Sequence, residues 1–277
     1  MIYIIAAIVL ILIYMRIETT FLAKSFVSFS SSTEGIKIVH LSDIHINKLF
    51  VSVKKLRTEI DLVRPDIIIM SGDYIETHRD IPKFIKFLEY LTIKYRVFLT
   101  FGNHDHKAMH YNTMNKAEFI DKIEAAGAKV LMNANATISK NGSTYCLIGI
   151  DDVKKGMPDF NKAFEGVSTT LESGYINIAI SHNPDAVLEL PKSKVDFFFC
   201  GHFHGGQIWM PFNLEFRIMR SEKLCKMKCY RGLHKIKGIN IYINRGLGNV
   251  IFPLRFFSKP EIAVIQLPAS LYREKNT

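Results

Sequence analysis

The chain has little of what would make it fibrous, disordered or disulfide-stapled. Its 277 residues hold four cysteines (Cys146, Cys200, Cys225 and Cys229), too few for a disulfide scaffold at this length. Nine prolines and sixteen scattered glycines exclude a collagen-like or low-complexity protein. Charged residues reach only 22% against 48% hydrophobic, which excludes wholesale disorder. No repeat of fixed period is present. Acid is in short supply: 26 Asp and Glu face 36 Lys and Arg, a formal charge of +10. That excess favours an anionic partner, whether nucleic acid, an anionic membrane or a phosphorylated substrate.

What is there begins with fifteen uncharged residues, Met1–Met15. As a helix the run is about 22 Å long, against a hydrocarbon core of about 30 Å, with Arg16 and Ile17 able to extend it. No basic residue precedes it and no A-x-A site follows it, so a cleaved signal peptide fits poorly. No polar face interrupts it, so a buried core helix fits poorly too. Residues 1–17 are therefore expected to be a membrane anchor. Arg16 and Lys24 follow the run, which places the main domain on the cytoplasmic side.

Residues 18–35, with the small polar stretch Ser28–Gly35, read as a linker, and 36–277 as one α/β domain. Apolar β-type runs at 36–41, 66–70 and 96–101 alternate with helical spacing at 51–63, 82–94 and 116–126, the last closed by Gly127. This order predicts a parallel sheet. Further strands are expected at 129–132, 136–139, 144–150, 176–181, 195–200, 239–244 and 261–267.

One unit recurs five times: an apolar strand followed at its C-terminal end by a metal-type ligand. The exits are Asp43-Ile44-His45, Gly72-Asp73, Gly102-Asn103-His104-Asp105, Ser181-His182 and Gly201-His202-Phe203-His204. Strand C-termini of an open α/β sheet share one rim, where ligands bind. Imidazole with carboxylate suits Zn, Mn or Fe rather than Ca. In an extended segment Asp43 and His45 would project to one side, as would His202 and His204. A single such His is more often a core or surface residue; five at strand exits are not explained that way.

This set resembles the calcineurin-like metallophosphoesterase superfamily, whose pattern is D-x-H, G-D, G-N-H-[DE], H and G-H-x-H. The resemblance covers residues 36–267. The apolar N-terminus, the Gly201–Gln207 stretch followed by Pro211, and Arg245-Gly246-Leu247-Gly248 resemble the membrane-associated branch that includes UDP-2,3-diacylglucosamine diphosphatases of lipid A biosynthesis. The resemblance implies a four-layer α/β/β/α sandwich holding two divalent metal ions, Mn²⁺ first, with Zn²⁺ or Fe as alternatives. Carried over, Asp43, His45 and His204 hold one ion, Asn103, His182 and His202 the other, and Asp73 bridges both. His104 faces the substrate phosphate, with Asp105 oriented to support it. The implied activity is hydrolysis of a phosphodiester or diphosphate by an activated water.

Residues 216–237 carry eight basic side chains against one acid, Glu222, with apolar residues between them. The stretch reads as a rim for anionic headgroups or, more plainly, as a solvated surface. Cys225 and Cys229 have no second pair and read as unrelated thiols. His40 and Cys200 read as core residues, and His106 and His110 as lying near the site. The rival functions are a nuclease of the same fold, suggested by the +10 charge, and a non-catalytic membrane adaptor. The hydrophobic N-terminus argues against the first, so no nucleic acid is expected. The complete ligand set argues against the second.

Overall fold

A computed structural model describes residues 1–110, 116–169 and 175–269, so the last eight residues of the expected domain lie outside the described residues. The chain opens with α1 (Ile2–Glu18), β1 (Ala23–Ser28), β2 (Lys37–Leu41), α2 (Val53–Val63), β3 (Ile67–Ser71), α3 (Ile81–Thr92) and β4 (Arg96–Thr100). Then come α4 (Asn103–His110), α5 (Lys116–Ala125), β5 (Ala128–Val130), β6 (Ala134–Lys140), β7 (Ser143–Gly149), α6 (Phe160–Ala163) and β8 (Tyr175–Ile180). The remainder is β9 (Phe197–Cys200), α7 (Leu214–Met219), α8 (Lys223–Lys226), β10 (Gly232–Ile236), β11 (Ile239–Ile243) and β12 (Glu261–Gln266).

The strands form two six-stranded mixed sheets, ordered β1-β12-β2-β3-β4-β5 and β10-β11-β9-β8-β7-β6. In the first, β2 to β5 run parallel and β12 antiparallel to β2. In the second, β11, β9, β8 and β7 run parallel. Strand alternation sets the layers. In β2, Val39 and Leu41 pack with helix residues such as Leu56, Phe84 and Phe119, whereas Ile38 faces Leu147, Ile178 and Phe199 of the other sheet. The outer face of the second sheet buries Ile148, Phe198 and Ile241 against Val187, Phe216 and Leu224. Every residue of β3 is buried, as a strand covered on both faces requires.

Two strands escape the sequence pattern. Residues 23–28, expected as linker, form β1 and pair in parallel with β12 from Ala23–Glu261 to Ser28–Gln266. Residues 232–236, inside the basic stretch, form β10. Both are edge strands, half solvated, and so lack the apolar runs that mark the central strands.

The apolar N-terminus is helical, as expected, and its residues from Ile2 to Tyr14 are exposed. No helix among the described residues is long and apolar enough to cross a membrane. With 17 residues, α1 spans about 25 Å. Its C-terminal end is docked firmly. Met15 accepts from the Arg255 backbone N–H at 3.0 Å. Tyr14 meets Phe256 edge to face. The buried Glu18 carboxylate accepts from the backbone N–H groups of Phe257 and Ser258 at 3.1 and 2.8 Å.

Candidate metal centre

All five strand exits meet at one rim between the sheets. Three groups of potential ligand atoms lie there, Asp43 with His45 and His204, Asp73 with His182 and His202, and a less buried set of His45 with Glu76 and His104. His204 Nε2 is 3.1 Å from Asp43 Oδ1 and 3.2 Å from His45 Nε2. His202 Nδ1 is 3.1 Å from His182 Nε2. Asp73 Oδ2 joins the first two groups, 3.0 Å from His182 Nε2 and 3.8 Å from His45 Nε2. Asn103 begins α4 with its Oδ1 buried and without a hydrogen-bond partner.

The local backbone explains the aim of these side chains. Asp43, His45, Asp73, His202 and His204 all have φ between +37° and +74°, the left-handed region that L side chains seldom adopt. The Asp-x-His pair is therefore not extended; sharp turns swing both side chains inward. Close backbone approach holds the carboxylates. A Cβ on Gly102 would stand 2.2 Å from Asp73 Oδ1, and one on Gly201 would stand 2.2 Å from Asp43 Oδ2. The Tyr74 ring stacks on Phe84, and its hydroxyl donates to the Thr100 carbonyl at 2.6 Å, with the Met70 carbonyl 2.9 Å away, while accepting from the Gly72 N–H.

The chemistry of this donor set fits cations. Two pairs of imidazole nitrogens face each other near hydrogen-bond distance, and a buried amide oxygen lacks a donor. Burial pushes His202 and His204 down to about 4, outweighing Glu222 and Asp43, so both rings are neutral and keep a lone pair for a metal. Burial would raise Asp43 and Asp73, but His204 and His182 respectively hold them below the usual carboxylate range. Burial would likewise lower His182, but Asp73 and Asp43 lift it to about 10. The carboxylates thus draw positive charge into the rim. The seven expected ligands Asp43, His45, Asp73, Asn103, His182, His202 and His204 are all buried.

His104 stands beside them at the start of α4, its side chain 24% exposed and its backbone N–H on Asp73 Oδ1 at 2.8 Å. The carboxylate that meets its ring is Glu76, not Asp105. Glu76 Oε2 is 3.0 Å from His104 Nδ1, and Oε1 is 2.7 Å from His45 Nδ1. Asp105 instead accepts four backbone N–H bonds, from Asp73, Tyr74, Ile75 and Gly102, and so ties two strand exits together. Burial and the neighbouring Asp73 raise it to about 6.

Two further residues reach the rim from the basic stretch. Glu222 Oε1 lies 2.9 Å from His202 Nε2 and accepts from Lys154 at 2.9 Å. Arg220 donates to the His202 carbonyl at 2.9 Å. The sequence held a signal for Glu222, as the lone acid of that stretch. Glu76 had none beyond its place three residues after Asp73. His106 is turned to Asp151 at 2.6 Å. His40 is buried with Nε2 on Ser71 Oγ, and all four cysteines are free and buried.

The buried carboxylate–imidazole rim at the strand ends of two facing sheets is a candidate metal centre. The calcineurin-like phosphoesterase family model matches residues 36–206, more than half of the chain, and the chain belongs to that family. It is 32% identical over 243 residues to the uncharacterised metallophosphoesterase YkuE of Bacillus subtilis, covering 86% of this chain and 80% of that one. It is 27% identical over 244 residues to the phosphodiesterase YaeI of Escherichia coli, covering 86% and 84%. Over 283 residues it is 28% identical to the UDP-2,3-diacylglucosamine pyrophosphatase LpxG of Chlamydia trachomatis, covering 84% and 83%.

Proposed function

We propose that the protein is a membrane-associated phosphodiesterase or pyrophosphatase acting on a lipid- or nucleotide-linked substrate, with UDP-2,3-diacylglucosamine the first compound to test. One observation carries the catalytic half: a single carboxylate oxygen, Asp73 Oδ2, lies 3.0 Å from His182 Nε2 of its own ligand group and 3.8 Å from His45 Nε2 of the other. Asp43, His45 and His204 would hold one divalent ion, and His182, His202 and Asn103 the other, with Asp73 shared. Mn²⁺ is the first choice among ions that accept imidazole with carboxylate. When bound, two such ions activate a water and neutralise charge on the phosphoryl oxygens. The protein's own contributions are positional. His104 is partly open to solvent beside the ligands, so its Nε2 can give a proton to the leaving oxygen while Glu76 holds Nδ1. Arg220 adds a fixed positive charge at the rim, where an anionic substrate arrives.

Support for the membrane half is the apolar exterior of α1 and the basic stretch 216–237 at the rim. The domain would lie on the cytoplasmic face, since the basic residues Arg16 and Lys24 follow the apolar run. Liposomes containing anionic lipid should sediment the full chain, and replacing Lys223, Lys226 and Lys228 with Gln should weaken this in a salt-sensitive way. The catalytic half is tested with the purified protein, Mn²⁺, bis-p-nitrophenyl phosphate, a simple monoester and a UDP-linked acyl sugar. Chelator-sensitive cleavage of the diester or diphosphate is expected. No metal-dependent cleavage of any of the three would end the proposal.

A further inference from the structure

Next to the metal-ligand rim lies a second feature that the hydrolytic reading does not use. A cleft of about 200 Å³ opens from His204 and Arg220 outward between α7 and residues 250–252. Its walls are apolar: Phe203 and Phe216 are buried at its base, and Met219 and Phe252 stand 64% and 61% exposed at its mouth. Apolar Phe212, Ile218 and Ile251 are exposed nearby, at 83%, 75% and 67%. Clustered exposed apolar side chains beside an active site mark a binding surface.

Two polar groups interrupt the apolar wall. Arg220 stands at the inner end, its guanidinium 5.6 Å from the Phe203 ring centroid and bonded to the His202 carbonyl. Glu215 lines the cleft, 4% exposed; Oε2 accepts from the Met210 N–H at 3.1 Å, and Oε1 has no partner among the described residues. A buried carboxylate oxygen left unpaired costs stability unless a ligand brings a donor. The cleft thus offers a ligand rim and a cation at its inner end, apolar walls with one buried acceptor, and an apolar mouth. That arrangement matches an amphiphile with a phosphate head, a hydroxyl or amide near it and a hydrocarbon tail.

We propose that this cleft takes the acyl chain of an amphiphilic phosphate ester whose phosphate lies at the rim. This rests on the phosphoesterase reading and names its substrate class. The cleft selects for the chain, Arg220 for the adjoining phosphate and Glu215 for a donor beside the chain's attachment.

The test compares 1-lauroyl-glycerol 3-phosphate with glycerol 3-phosphate, both bearing a free hydroxyl, on the metal-free full chain in nanodiscs. Trp209, the single tryptophan, lies between the cleft residues Ile208 and Met210 and reports binding through its emission. The lauroyl compound should bind at least about a hundredfold more tightly, the effect of burying roughly four methylenes. Phe252→Glu and Met219→Glu, both at exposed positions, should each reduce that ratio at least tenfold. Partition into the lipid is common to all three proteins and cancels. Equal binding of the two compounds overturns the proposal, as does a preference that survives both substitutions, which would place the chain elsewhere, on α1 or between two copies. Cleavage of bis-p-nitrophenyl phosphate by the same preparation with Mn²⁺ reads the phosphoesterase assignment separately. If cleavage is absent while the chain preference persists, that assignment fails and the cleft remains a binding site for acyl phosphates.

Discussion

Glu76 Oε2 lies 3.0 Å from His104 Nδ1, so the one partly exposed imidazole of the rim is oriented by a carboxylate from a different strand exit. The other Glu76 oxygen lies 2.7 Å from His45 Nδ1, so one carboxylate faces two rings. Burial alone would raise the Glu76 carboxyl, but its bonds to His104 and His45 hold it below the usual range.

Glu76→Gln should lower diester hydrolysis roughly 10- to 100-fold, the usual cost of losing a carboxylate behind a ligating histidine. The pH profile should change shape as well as height, because His104 loses its ionised partner. Steady-state rates between pH 5 and 9 check this; an unaltered profile would detach Glu76 from the chemistry.

Asp73→Ala should lose both metal ions, since Asp73 Oδ2 lies near both groups. Elemental analysis of protein purified with Mn²⁺ should fall from two ions per chain to fewer than one. A stoichiometry of two in the variant contradicts the shared position.

His104→Ala should keep both ions while turnover falls on the order of 10²–10⁴, the range of general acid–base catalysis. The loss should shrink for substrates with a good leaving group such as p-nitrophenolate, which needs no proton. Turnover equal to that of the unsubstituted protein on an alkyl diester would remove His104 from its role.

Acid should destabilise the fold in part through His40. Burial lowers this imidazole to about 4, against the opposing pull of Glu261 and Asp43. Its neutral folded form contributes stability that is present above about pH 6.5 and lost as pH falls towards 4, because only the unfolded chain takes up the proton there. Between pH 7 and pH 5 the loss is on the order of 2 kcal/mol. Urea unfolding of the metal-free protein at the two pH values measures it, and His40→Gln should shrink the difference by that amount. An equal pH dependence in the two proteins would count against the neutral buried ring.

Much of this was legible because strong signals sit where physics is least ambiguous. The runs Ile67–Met70 and Val97–Phe101 are apolar because their strands are covered on both faces. The ligand pattern is legible because each group follows such a run. The edge strands were not, since their exposed faces mix polar with apolar residues, Lys24, Phe26 and Ser28 in β1 and Leu233 and Lys235 in β10, and so show no clean alternation. Nor could sequence foresee that Asp105 would be consumed by four backbone N–H groups while Glu76 took its place beside His104. Both residues are acids near a strand exit, and it is the backbone N–H groups of Asp73, Tyr74, Ile75 and Gly102 converging on Asp105 that leave the ring to Glu76.

The Glu18 carboxylate grips the backbone of Phe257 and Ser258, and the Ser258 hydroxyl donates at 2.8 Å to the carbonyl of His204. The greasy N-terminal rod and a ligand-bearing loop are thus pinned to the same short peptide. The rod cannot swivel independently of the crevice. If α1 beds in a lipid surface, that shared anchor would hold the crevice at one fixed angle to it.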